Sequence, residues 1–230
     1  MARSAEPPAS GAEDLIHAEL RRAVLDAGFP CLGARAVLHR SAYGFGAYDR
    51  LGSRESARSL WHDLCAFIES ARDGAGPFSS YIACFRAPAI LGEEHFERLL
   101  WRQLQLLHEI DAPHHRWDPR VSSDPSDPQF SFSAGGEAFF VVGLHPASSR
   151  LARRFAWPTL CFNPHAQFEA LREAGTYERM RSRIRLRDRE LQGSVNPMLA
   201  DHGTESEAAQ YSGRFTQEGW VCPLQPRAPA

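Results

Sequence analysis

The chain of 230 residues contains no lysine, so all 26 of its basic residues are arginine. Because Schiff-base catalysis and phosphate-binding P-loops both use a lysine amine, this absence excludes both mechanisms. The sequence also lacks the GxSxG motif of serine hydrolases, the HExxH motif of metalloproteases and an HxD pair. Acidic and basic residues nearly balance at a net charge of −2, which argues against a nucleic-acid partner because phosphate binding needs a concentrated positive field.

Cysteine is scarce and long apolar runs are missing. The five cysteines are odd in number and scattered, and none forms a CxxC pair: they are Cys31, Cys65, Cys84, Cys161 and Cys222. This pattern favours reduced thiols over a disulfide framework or a zinc cage. Residues 1–11 lack the apolar core of a signal peptide, and no window approaches the length of a membrane span. We therefore expect a soluble, cytoplasmic protein without a membrane partner.

Hydrophobic periodicity predicts a mixture of helices and strands. The predicted helices cover residues 13–27, 53–71, 93–110, 166–174 and 177–191. The predicted strands cover residues 34–39, 80–86, 138–144 and 159–162, with loops over 43–48 and 111–128. No repeat or dinucleotide-binding glycine fingerprint is present. The pattern predicts an α+β fold with a central sheet flanked by helices. We expect a single domain over 13–224, with a disordered N-terminus over 1–12 and a flexible C-terminus over 225–230.

Two histidines occupy matching positions. His145 follows one predicted strand and His165 follows the next, and the intervening residues 146–158 are about long enough for a crossover between parallel strands. If the strands are parallel, both imidazoles emerge at the same end of the sheet, where open sheets commonly bind ligands. Neutral imidazole is a common ligand of iron and zinc. In the competing interpretation, one or both histidines cap a helix or bond to loop carbonyls.

Arginines lie between these histidines. Arg150 and Arg154 are four residues apart, which would place them on one helical face. Planar guanidinium groups suit the carboxylates of haem propionates or of an amino-acid substrate. A solvated helix face is the alternative. A second arginine cluster over 179–189 alternates at every second residue, and we interpret it as surface paired with acidic neighbours.

Other metal or nucleophile candidates are weaker. His114 and His115 are adjacent in a polar loop, and adjacent residues rarely coordinate one ion together. Cys222 has the chemistry of a thiolate ligand or a nucleophile, but a buried structural cysteine is the favoured interpretation.

Several segments together resemble the YqcI/YcgG family. They are residues 29–31 (FPC), 143–150 (GLHPASSR), 162–168 (FNPHAQF), 184–188 (IRLRD), 192–198 (QGSVNPM) and 210–214 (QYSGR). The resemblance covers about residues 28–224. It implies a similarity to haem-dependent N-oxygenases of bacterial natural-product pathways, which hydroxylate a nitrogen of arginine or a related guanidino or amino compound. It therefore implies b-type haem, O2 and an electron donor.

The resemblance also guides the assignment of site residues. Because O2 activation needs an open iron position, only one of His145 and His165 is expected as the axial ligand, with His145 preferred because arginines follow it closely. The residues expected near the haem propionates are Arg150, Arg153 and Arg154. The residues expected to position substrate or donate to bound oxygen are Asn163, Asn196 and Tyr211. A cationic substrate would need a carboxylate, for which Asp188 and Glu169 are candidates.

Three questions stay open at this level. A haem-binding or small-molecule-binding carrier or sensor without turnover is the alternative to an enzyme, and it would be indicated by both histidines on one iron. A non-haem metal enzyme is a third alternative. The sequence leaves the oligomeric state open as well, with a homodimer among the expectations.

Overall fold

The computed structural model describes residues 9–72, 78–195, 205–217 and 219–227. The helices within these ranges are α1 (Ala9–Leu25), α2 (Leu32–His39), α3 (Arg54–Arg72), α4 (Glu93–Asp111), α5 (His165–Glu173), α6 (Tyr177–Gln192) and α7 (Ala208–Tyr211). The strands are β1 (Tyr43–Arg50), β2 (Ser80–Ala87), β3 (Phe132–Ala134), β4 (Glu137–Leu144) and β5 (Thr159–Pro164). They form a five-stranded sheet in the order β1-β2-β5-β4-β3. The predicted α+β fold is confirmed.

The sheet is mixed, with one parallel strand pair and three antiparallel pairs. β1 runs parallel to β2, whereas β2–β5, β4–β5 and β3–β4 are antiparallel. The predicted parallel crossover between β4 and β5 is therefore wrong. The segment that connects β4 to β5 folds back on itself. The His145 N–H donates to the Arg153 carbonyl at 3.0 Å, and the Phe155 N–H donates to the His145 carbonyl at 3.4 Å. Only a three-residue 3-10 helix, Leu151–Arg153, forms within it.

Each face of the sheet buries a hydrophobic cluster. On one face, α3 and α4 pack against strand side chains, and the cluster includes Leu60, Leu64, Phe96, Leu100, Leu104, Tyr81, Phe139, Val141 and Phe162. On the other face, α1 and α2 cover Ile82, Cys84 and Leu144. The helical spacing of apolar residues in α3 and α4 makes this packing possible, since one stripe of each helix meets the sheet.

Most predicted elements are confirmed, but two near the start of the chain are wrong. Residues 34–39 lie in helix α2, which begins after Cys31, whose sulfur accepts from the Ala34 N–H. Residues 43–48 form strand β1 because Gly44 and Gly46 leave room for the side chain of Tyr81. A Cβ at Gly46 would lie 2.5 Å from the Tyr48 hydroxyl oxygen. These glycines therefore reflect close side-chain packing within a strand, not a loop.

The structure describes part of each terminal segment. Helix α1 already includes residues 9–12, and residues 1–8 lie outside the described residues. Near the other end, the Gln225 N–H donates to Gln105 and the Arg227 N–H donates to His108 Nε2 at 2.8 Å. These bonds attach residues 225–227 to α4, and 228–230 lie outside the described residues. Within the described ranges, none of the helices has the length and apolarity that crossing a membrane requires.

The close approach of β4 to α4 yields a stability prediction. A Cβ at Gly143 would lie 2.5 Å from the Phe96 ring and 3.0 Å from the Tyr211 carbonyl oxygen. We expect Gly143→Ala to lower the free energy of unfolding by about 1–3 kcal/mol through overpacking. Urea denaturation measures this. The matched control is Gly11→Ala, where nothing lies within 4 Å and the added methyl group favours the helix. Equal stability of Gly143→Ala and the unaltered protein would contradict the packing.

Candidate functional site

The antiparallel pairing places His145 and His165 at opposite ends of the sheet. Leu144 pairs with Thr159, whereas Phe139 pairs with Pro164. These two register pairs are five residues apart along each strand, which corresponds to about 17 Å. His145 follows the first pair and His165 follows the second. The two imidazoles therefore cannot line a common site within one chain, and the expectation of a shared end is wrong.

His145 lies in a closely packed corner. Its side chain is fully buried, and its ring stacks on Phe96 with the ring centroids 4.2 Å apart. Neither ring nitrogen has a hydrogen-bond partner among the described residues. Burial lowers the pKa of His145 to about 4, so the imidazole is neutral at pH 7. A metal-bound histidine normally donates its second ring nitrogen to an acceptor, and His145 has none in this part of the chain.

Arg150 and Arg154 do not share a helical face. They flank the 3-10 helix, and both have extended backbone conformations. Arg150 forms a buried ion pair with Asp188 at 2.5 Å and also donates to the hydroxyl and carbonyl oxygens of Ser194. Arg154 Nε donates to the Ser148 carbonyl at 2.7 Å. Arg150 therefore attaches the β4–β5 connection to Asp188 of α6 and to Ser194, and Arg154 bonds within the connection itself.

Arg153 is also engaged by the protein itself. Its guanidinium donates to the carbonyl oxygens of Gly143, Gln210 and Tyr211, at 3.1 to 3.2 Å. Burial lowers the pKa of Arg153 to about 10, which leaves it charged at neutral pH. Arg153 thus attaches the segment around α7 to strand β4. Arg150 and Arg153 are thus engaged by the protein itself, whereas Arg154 is exposed and bonds through its Nε to the Ser148 carbonyl.

His165 has a different environment. It begins α5 directly after β5, and its side chain is only 6 % exposed. Its Nδ1 lies 3.6 Å from Glu169 Oε1, and its Nε2 lies 3.7 Å from Glu207 Oε1. Glu207 is itself buried and accepts a 2.6 Å hydrogen bond from the Ser131 hydroxyl. The imidazole therefore lies between a buried, oriented carboxylate and the partly exposed carboxylate of Glu169.

Of the three residues expected to contact substrate or bound oxygen, two are bonded within the sheet and one is not described. Asn163 lies two residues before His165, but its amide donates to the carbonyls of Phe140 and Cys161 and accepts from the Ser80 hydroxyl. The fully buried Tyr211 hydroxyl donates to the Phe139 carbonyl and accepts from the Phe132 N–H. Both residues thus stabilise the sheet. Asn196 lies outside the described residues.

Glu207 is the residue of this site that the sequence reasoning missed. It stands 42 positions after His165, beyond a segment for which no regular element was expected. Its local signal in the sequence is weak, because it stands directly before the four-residue helix α7. The other candidate, Asp188, is bound by Arg150. Glu169 is therefore the remaining carboxylate proposed for a cationic substrate.

The weaker sequence candidates also have clear environments. Cys222 packs against the main hydrophobic cluster, and burial raises the pKa of its thiol to about 12, which supports the structural interpretation. In the arginine cluster, Arg181 pairs with Glu178 as expected for surface. Arg187, however, donates to the carbonyls of Ala27 and Phe29 and so fixes α6 to the end of α1.

Two open cavities lie elsewhere on the surface. One of about 650 Å³ is lined by residues that include Glu93, His95 and Arg214. The other, of about 690 Å³, follows strand β1 and is lined by residues that include Asp63 and Tyr81. Neither cavity is lined by His145 or His165.

Comparison with known proteins identifies relatives of the chain. A model of the YqcI/YcgG family matches residues 20–225. The uncharacterized protein YqcI of Bacillus subtilis (strain 168) is 27% identical over 165 residues, which cover 69% of this chain and 64% of that protein. The chain therefore aligns with slightly less than two thirds of that relative's length. No solved structure gives a significant match.

The Arg150–Asp188 pair yields a stability prediction. Both side chains of the pair are at most 10 % exposed, so Arg150→Ala removes a buried cation from beside Asp188 together with two hydrogen bonds to Ser194. We expect a loss of about 3 kcal/mol in the free energy of unfolding, measured by urea denaturation. Arg154→Ala, which removes one hydrogen bond to a carbonyl, is the control and should cost about 1 kcal/mol. Equal losses in the two variants would contradict the assigned role of the pair.

His145 yields a pH prediction. Its folded-state pKa of about 4 lies below the ordinary value of 6.5, so the unfolded chain binds a proton more readily. Above pH 6.5 the histidine is neutral in both states and stability is at its full value. As the pH falls from 6.5 toward 4, the unfolded chain binds a proton that the folded protein does not, which lowers the free energy of unfolding by about 3 kcal/mol. His145→Leu should have a correspondingly smaller pH dependence of stability across that window. Urea denaturation at pH 7, 5.5 and 4.5 measures it, and an unchanged slope in the variant would refute the buried neutral state.

Proposed function

Because this chain belongs to the YqcI/YcgG family, we propose that it is a haem-dependent monooxygenase that hydroxylates a nitrogen of arginine or a related amino acid. The resemblance described above supplies the reaction class. The observation that carries the proposal is the buried imidazole of His165 between the carboxylates of Glu169 and Glu207. With these neighbours, His165 is the residue that would hold a haem iron.

The physical argument for His165 rests on its neighbouring carboxylates. In metal sites, a carboxylate that accepts from one imidazole nitrogen orients the ring and makes the other nitrogen a stronger donor. Glu207 is suited to the orienting role because it is buried and bonded to Ser131. His145 has no comparable acceptor among the described residues, so we assign the ligand role to His165 and not to His145.

The proposal divides the chemistry between cofactor and protein. Haem, when bound, would supply the O2 activation, with electrons from a separate donor. In the overall reaction one oxygen atom of O2 would enter the new N–O bond and the other would leave as water. His165 would hold the cofactor, and Glu207 would orient His165. Glu169, with its side chain 42 % exposed, pairs with the guanidinium or ammonium group of the substrate.

The arginines expected near the cofactor's propionates differ in availability. Arg150 and Arg153 already donate to Asp188, to Ser194 and to backbone carbonyls, so their role in the proposal is structural. Arg154 is exposed and stays the candidate for a propionate. The competing carrier or sensor function gains no support from the geometry, because both histidines on one iron would require imidazoles that lie at opposite ends of the sheet.

The axial-ligand assignment is tested by haem reconstitution. We expect the unaltered protein to bind haem with a Soret band typical of imidazole ligation. His165→Ala should weaken haem binding at least about tenfold, and added imidazole should restore the spectrum. His145→Leu is the matched control and should retain the spectrum. Loss of the Soret band only in His145→Leu, or no change in His165→Ala, would overturn the assignment.

The substrate assignment is tested by turnover. Reduced, haem-loaded protein supplied with arginine and O2 should yield a product heavier by one oxygen atom, detected by mass spectrometry. Glu169→Gln keeps the side-chain shape but removes its charge, so we expect a higher KM for a cationic substrate and an unchanged Soret band. A Glu169→Gln variant with unaltered KM would remove Glu169 from substrate binding.

A further inference from the structure

A second cluster of metal-ligating side chains lies outside the proposed haem site. Cys65 comes from α3, Asp111 is the last residue of α4, and His115 lies in the turn that follows. One candidate ligand atom from each residue lies within 4.8 Å of the other two. From the sequence, His114 and His115 are weak candidates, because adjacent residues rarely coordinate one ion together. The fold instead brings His115 to a cysteine and an aspartate.

Asp111 is held in place by groups outside this cluster. Its side chain is 4 % exposed, and its Oδ1 accepts hydrogen bonds from Trp61 Nε1 at 2.8 Å and from the Gly135 N–H at 2.9 Å. Both hydrogen bonds are accepted by the same carboxylate oxygen. They resemble the outer-shell hydrogen bonds that orient a ligating carboxylate, and neither of them uses the second oxygen.

The other two side chains are accessible from solvent. His115 Nδ1 lies 2.7 Å from Asp111 Oδ1, and the His115 side chain is 36 % exposed. Cys65 is half-buried, and its sulfur lies 3.7 Å from where a Cβ at Gly135 would be. An ion can therefore reach the cluster, and the exposed imidazole can adjust its position.

We propose that Cys65, Asp111 and His115 bind a divalent transition-metal ion, with Zn²⁺ as the ion that this set of sulfur, oxygen and nitrogen donors suits best. Ligand atoms around a tetrahedral zinc lie about 3.3 to 3.8 Å apart, given bond lengths of about 2.0 to 2.3 Å. The three candidate ligand atoms lie within 4.8 Å of one another, so side-chain movements of about an ångström would bring them to this spacing. Binding releases the thiol proton of Cys65 and uses the lone pair of one His115 nitrogen. Three protein ligands leave a fourth position for water.

This site would connect parts of the fold that are distant in sequence. Cys65 lies on α3, Asp111 and His115 end α4, and Gly135 belongs to the turn between β3 and β4. Since an ion that binds only the folded state stabilises it, saturating zinc should raise the midpoint of thermal unfolding. The proposal does not depend on the haem function.

The experiment is equilibrium dialysis of the full chain against Zn²⁺ after treatment with a chelator, under reducing conditions and with metal analysis. We expect one zinc per chain and, in zinc-edge X-ray absorption, one sulfur ligand. Cys65→Ser and Asp111→Asn should each weaken zinc binding at least about tenfold. Asp111→Asn retains an oxygen that accepts from Trp61 and Gly135, so its fold should persist, as circular dichroism will show.

Matched controls decide between this site and nonspecific binding. Cys222→Ser removes another half-buried cysteine, and His114→Ala removes the adjacent histidine; both should bind zinc as the unaltered chain does. Zinc binding without a sulfur ligand would overturn the proposal. So would equal zinc affinity in Cys65→Ser and Cys222→Ser, or the absence of stoichiometric binding in a folded, reduced chain.

Discussion

Backbone hydrogen bonds between β4 and β5 run antiparallel from the Leu144–Thr159 pair to the Phe139–Pro164 pair. This pairing fixes the positions of His145 and His165 at opposite ends of the two strands. A metal site that used both imidazoles would need them close together. One imidazole is left beside α4 and the other at the start of α5. The separation follows from strand geometry, so a side-chain rotation cannot remove it.

The arginines that follow His145 maintain this arrangement. Arg153 bonds to the carbonyl of Gly143 in β4 and to the carbonyls of Gln210 and Tyr211 beside it. Arg150 joins the same connection to α6 through Asp188. A guanidinium has several fixed donors, which lets one side chain satisfy several buried acceptors. In this fold, the arginine-rich motif stabilises a corner of the structure, while the opposite end of the sheet offers an oriented imidazole.

Sequence periodicity predicted α4, β4 and the other strongly patterned elements because one apolar stripe or run marks each of them. It failed at β1, since the glycines at 44 and 46 serve the packing of Tyr81, which is distant in sequence. The sequence was enough to name candidate site residues, but it could not predict which of them lie close together in the fold. The direction of β5 relative to β4, the carboxylate of Glu207 beside His165, and the approach of Cys65 to His115 all depend on tertiary contacts without a local pattern.

The most direct test of the account is nitrogen-15 NMR of histidine side chains in the protein loaded with ferric haem. Because a paramagnetic iron broadens nearby resonances strongly, the ring signals of His165 should disappear. Those of His145, about 17 Å away along the sheet, should persist at the shifts of a neutral imidazole. Loss of the His145 signals together with those of His165, or in their place, would contradict the separation of the two histidines and the assignment of the ligand.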